Sequence, residues 1–137
     1  SGQTLSPDAK TLTILFTGLR AETKVDGLQA ATAGVALMLP LTTVAGAPPP
    51  VVKLDFRGDA SPGGSGAFCW LGISTPAGSH GSFFSADAEV REELTVQVPA
   101  RSPGLVVTVL LQCLATGADP GVSALLEIDS IDVTLAN

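Results

Sequence analysis

From Val51 to Arg57 apolar and polar residues alternate without a fault. Val52, Leu54 and Phe56 fall on one side, and Lys53, Asp55 and Arg57 on the other. A period of two marks a strand with one face in a core and one in water. The same period recurs along the chain. Lys10 to Leu19 sets Leu12, Ile14 and Phe16 against Thr11, Thr13 and Thr17. Ala67 to Ser74 sets Cys69, Leu71 and Ile73 against Phe68 and Trp70. Leu94, Val96 and Val98 point one way in the next clean segment, and Leu105 to Ala115 reads as a long, uncharged, central strand. Leu28 to Leu39 gives one or two less regular strands, and Ser82 to Ala86 a short one. Clusters rich in Gly, Ser and Pro predict turns or loops at 58–66, 75–81, 99–104 and 116–121. Asp87 to Glu93 reads as an acidic loop, and no segment carries a convincing helical period.

The closing segment, Val122 to Leu135, breaks phase. Leu126 and Ile128 share one face, but the apolar set resumes at Ile131, Val133 and Leu135. One extra residue near Asp129 and Ser130 restores the core face, which predicts a β-bulge there. About eight strands with regular turn signals predict an all-β, two-sheet antiparallel β-sandwich, jelly-roll-like in its winding. With 137 residues the chain is one domain by size. Residues 10–137 are expected to form it, with 1–9 as an N-terminal extension or arm, and Ser1 reads as a processed end.

Composition changes the picture in one respect. Hydrophobic residues make up 45% of the chain and charged residues only 15%, against about 25% in an average globular protein. The uncharged runs Leu28–Val52 and Ser102–Ala118 therefore suit strands buried on both faces or covered by a neighbouring subunit. Gly34, Pro40 and Pro48–Pro50 interrupt the first run, so a membrane-spanning helix is not expected. A net charge of −6 with scattered Lys and Arg opposes nucleic-acid binding.

Candidate chemistry is sparse. His80 is the only histidine and sits in a turn-like Gly-Ser-His-Gly-Ser setting. A catalytic triad would need it as base with Ser65, Ser79 or Ser82 as nucleophile, yet no nucleophile elbow surrounds any serine. The carboxylates Asp87, Glu89, Glu92 and Glu93 read as a solvated acidic loop rather than a catalytic pair. No enzyme is expected. Candidate ligand contacts are Trp70, His80, Asp55 and Arg57. Arg57-Gly58-Asp59 spells an adhesion tripeptide, read here as a strand end entering a loop. Cys69 and Cys113 read as buried thiols acting as small hydrophobes, with a disulfide as the alternative if their strands face each other.

The segments VVKLDFRGD, GAFCWLGIS, ELTVQVPA, LVVTVLLQC and ALLEIDSIDVTL together resemble the jelly-roll sandwich of carbohydrate-binding modules. The same fold builds virion shells, spikes and decoration proteins. The resemblance implies a structural Ca²⁺ held by Asp129, Asp132 and Glu127 with backbone carbonyls. It departs from the sugar-binding pattern, since Tyr is absent and Trp70 stands alone. Two readings follow. One is a non-catalytic structural or interaction subunit of a larger assembly, such as a virion decoration, spike or fibre component or a surface assembly, with a homo-oligomer expected and no cofactor. The other is a secreted carbohydrate-binding module with a glycan partner and a calcium site. Either places the chain on a virion or at an extracellular surface.

Overall fold

The computed structural model describes residues 2–5, 11–23, 30–40, 46, 48–63, 67–99, 104–115 and 123–135. The expected turn at 116–121, loop residues 64–66 with the candidate nucleophile Ser65, and the cations Lys10, Lys24 and Arg101 lie outside them. Ten strands are present: β1 (Gly2–Leu5), β2 (Thr11–Leu15), β3 (Arg20–Glu22), β4 (Ala30–Pro40), β5 (Val51–Ser61), β6 (Phe68–Thr75), β7 (Gly78–Phe84), β8 (Ala88–Gln97), β9 (Gly104–Leu114) and β10 (Leu125–Leu135). No helix occurs among the described residues.

The strands form two antiparallel sheets. Sheet I runs β1-β2-β10-β5-β8, with β3 also paired to β10, and sheet II runs β4-β9-β6-β7. The pairing is nested. β6 pairs with β7, β5 with β8, β4 with β9, and β2 and β3 with β10. A long antiparallel ribbon folded over on itself gives this order, the jelly-roll-like winding of two Greek keys. The expected number of eight becomes ten for two reasons. Residues 2–5, expected as an arm, add β1 to the sheet edge, and the pairing with β10 is split, because the strand expected over Lys10–Leu19 stops at Leu15 and a further strand, β3, follows at Arg20–Glu22.

The split faces the bulge. Pairing of β10 with β5 shifts between Ile128 and Ser130, so Asp129 has no partner on β5. The Asp129 carbonyl instead accepts a hydrogen bond from the Phe16 amide at 2.9 Å, and the Ile128 amide donates to the Leu19 carbonyl at 3.0 Å. Leu126, Ile128, Ile131 and Val133 all reach the core across this irregularity. The bulge also dictates Gly58 on β5, because a Cβ there would overlap the carbonyl oxygen of Glu127.

The inner faces of both sheets supply the core, with Val52, Leu54 and Phe56 from β5 packed within the same cluster as Leu71, Ile73, Val109 and Leu111. Three local expectations change. β5 continues to Ser61, so Arg57-Gly58-Asp59 lies inside a strand paired on both sides and is not a displayed loop. The acidic run is no loop, since Glu89 to Glu93 belong to β8 and pair with β5. His80 sits within β7 rather than in a turn. Each of these segments gains a ladder partner that no local signal announces.

Candidate interaction surface

Charge is divided between the two sheets. None of the strands β4, β9, β6 and β7 carries an Asp, Glu, Lys or Arg. The four cations among the described residues all lie on strands of sheet I, each beside a carboxylate. Arg20 meets Glu127 at 3.6 Å, and Lys53–Glu93, Arg57–Asp55 and Arg91–Glu89 each meet at 3.2 Å. One outer face of the sandwich is thus an ion-pair lattice, while the other is uncharged.

The uncharged face has a definite relief, fixed by register. Along its middle, Gly34, Leu110, Gly72 and Gly81 stand abreast across the four strands. On one side of this row stand Thr32, Gln112, Trp70 and Phe83, and on the other Ala36, Thr108, Ser74 and Ser79. Trp70 lies down on the glycines. A Cβ at Gly72 would overlap the indole, and one at Gly81 would come within 2.9 Å of its Nε1. Phe68 and Phe83 flank it with ring centroids 5.6 Å apart and planes tilted by 43°, within the favourable range for aromatic pairs. Next to this aromatic corner is a hollow of about 360 Å³, bordered by Ala30, Thr32, Gln112 and Leu114. Exposure is high for residues of this type: Phe83 is 72% exposed, Met38 57% and Val106 43%. Three of the four large hydrophobics exposed among the described residues therefore belong to this one face.

The four expected ligand contacts do not converge. Trp70 lies on the outer side of sheet II, whereas Asp55 and Arg57 pair with each other on the outer side of sheet I. His80 is at the open edge between the sheets. There Glu92 of β8 turns inward, accepting a 2.7 Å hydrogen bond from the Ser82 hydroxyl and meeting His80 Nε2 at 3.1 Å. One carboxylate holds both side chains, so the Ser82 proton is directed at Glu92 and not at the imidazole. This clasp ties β7 of one sheet to β8 of the other.

The three expected calcium ligands do not form a set either. Asp132 accepts a 2.6 Å hydrogen bond from Thr13. Glu127 faces Arg20 and interacts with Asp129 across the bulge. Partial desolvation, then the hydrogen bond with Glu127, then its negative charge hold the Asp129 carboxyl above the usual carboxylate range. Among the described residues no group of three or more His, Cys, Asp or Glu is arranged to hold a metal ion, and Ca²⁺ wants six to eight oxygens.

Cys69 and Cys113 are joined by a disulfide and are not free thiols. They do not face each other across the sandwich. They are register partners on the adjacent strands β6 and β9, with Cα atoms 4.1 Å apart. Sequence reasoning missed Phe68, Phe83, Met38 and Val106 as a common surface. The available signal was the pair of uncharged runs, which become the neighbouring strands β4 and β9.

Neither a protein-family model nor a curated protein matches the chain. Two solved structures are similar in part. Dimeric latent PorU from Porphyromonas gingivalis aligns with a TM-score of 0.46 at 11% identity, over 98% of this chain and 13% of that one. The enzymatically active domain of tailspike protein 4 from bacteriophage CBA120 aligns with a TM-score of 0.40 at 11% identity, over 93% of this chain and 16% of that one. The chain thus spans a small fraction of either protein's length, and likenesses this low carry no function across. No helix among the described residues is long and apolar enough to cross a membrane.

Proposed function

We infer that this chain is a non-catalytic structural subunit that acts by assembling with other subunits, as a decoration, spike or fibre component of a virion or of a surface assembly. The observation that carries this reading is the uncharged outer face of sheet II with its exposed Met38, Phe83 and Val106. Interface centres are depleted of charged residues and rich in aromatics and Met, which this face combines with its two exposed apolar corners. The Cys69–Cys113 bridge supports an oxidising setting outside the cytosol. The Ser82–Glu92–His80 clasp supports a structural role for the one histidine.

A second reading, a carbohydrate-binding module, draws on Trp70 laid flat beside the hollow, since an indole face can stack on a sugar ring. The placement of Glu127, Asp129 and Asp132 gives no support to its calcium component. Light scattering on the full chain separates the two. A stable multimer is expected for the assembly subunit. A strict monomer that binds on a glycan array would sink that reading in favour of the second.

A further inference from the structure

We propose that the outer face of sheet II docks against the same face of a second copy of this chain, two sandwiches back to back. The proposal rests on the assembly reading and names its surface and partner. Size comes first. With strands about 4.8 Å apart and residues rising about 3.4 Å, the four strands cover roughly 600 Å² of sheet per copy. Over two copies that is about 1,200 Å², the lower bound of stable interfaces.

Charge is the second argument. Back-to-back docking desolvates no ion pair, because every described Asp, Glu, Lys and Arg lies off the strands of sheet II. The two charged faces end on opposite outer surfaces. Sheets packed about 10 Å apart hold them roughly 30 Å from each other, several Debye lengths at physiological salt. A net charge of −6 per copy therefore does little to oppose the contact.

Shape is the third. The tall residues occupy diagonal corners: Phe68, Trp70 and Phe83 at one end of β6 and β7, Met38 and Val106 at the other end of β4 and β9. A two-fold axis running along the strands, between β9 and β6, brings β7 of one copy over β4 of the other. Phe83 then enters the hollow beside Ala30 and Thr32, Ala36 and Thr108 come over the small Ser79 and Ser74, and Met38 and Val106 reach the tight turn between β6 and β7 one row further on. Each tall corner meets a low one, and the match repeats itself by symmetry, as an isologous contact requires.

Sedimentation equilibrium from about 1 to 100 µM on the full chain tests this. The expected mass is that of a dimer or an even-numbered assembly. Thr108→Lys and, separately, Phe83→Lys should weaken self-association at least tenfold with far-ultraviolet circular dichroism unchanged. Thr95→Lys, on the outer side of sheet I, should leave it intact. A multimer insensitive to both sheet II variants, or one with an odd number of subunits, overturns this docking mode while the assembly reading stands. A wild-type monomer at every concentration overturns both.

Discussion

Gly58 shows how one residue is fixed by a partner distant in sequence. The bulge at Asp129 presses the Glu127 carbonyl onto Gly58, leaving no room for a side chain. Backbone cannot yield as a flexible side chain would, so Gly58→Ala should cost about 3 kcal/mol, at the upper end of overpacking penalties. A urea titration checks it, and a loss below about 1 kcal/mol would show that the bulge relaxes freely. The bulge itself was legible, because the phase break between Ile128 and Ile131 forces an extra residue. The glycine's reason was not, since it needs the register of β5 against β10. Asp129 makes a second residue-scale case. Its carboxyl is raised above the ordinary range, so the folded chain holds that proton more tightly than the unfolded chain does. Stability is then lost as pH rises from the unfolded value through the folded one. Asp129→Asn removes the charge and should stabilise the fold slightly at pH 7, by no more than about 0.5 kcal/mol at so exposed a site, read as a small rise in melting temperature. The gain should vanish as pH falls below the ordinary aspartate range, and a gain that persists there would point to packing instead.

Strands with a wet face announced themselves, as Val51 to Arg57 and Leu94 to Val98 did, because alternation is local. Strands defined by their partners did not. Glu89 to Glu93 carry five residues with one obvious core member, Val90, and only the ladder with β5 makes them β8. Glu92 also points inward against the hydrophobic rule, because the Ser82 and His80 side chains satisfy it there. The cysteines illustrate the same limit. Their inward phase was readable, but the adjacency of β6 and β9 belongs to topology. Their bridge joins positions 44 residues apart and should contribute about 2–4 kcal/mol by restricting the unfolded chain. The double variant Cys69→Ala with Cys113→Ala should lower the urea midpoint accordingly with an unchanged far-ultraviolet spectrum. An unchanged midpoint would show that the cross-strand packing is as good without the bond.

At the scale of the whole molecule the uncharged face was half visible in the sequence. The runs Leu28–Val52 and Ser102–Ala118 flagged β4 and β9, but nothing local said that they adjoin each other and β6. That adjacency comes from the nested winding, and the winding governs how the chain must fold. Besides β1–β2 at the sheet edge, only β6–β7 is a short hairpin. The pairs β5–β8, β4–β9 and β3–β10 enclose β6–β7 in turn, up to β2 with β10, where Thr13 bonds Asp132 across 119 positions. Such non-local sandwiches refold in milliseconds to seconds, since loop closure must precede the contacts that reward it. Trp70 is the one tryptophan and lies on β6, so its fluorescence follows the sheet II pairing directly. The disulfide closes the β6–β9 loop in advance. Closing a loop of that length costs about 3 kcal/mol of chain entropy. If half of that closure is made at the barrier, removing the bond should slow refolding roughly tenfold. Stopped-flow dilution from urea, oxidised chain against the double alanine variant, measures it. Equal refolding rates with faster unfolding would place the β6–β9 pairing after the barrier, and the nested ribbon would then close from its outer strands inward.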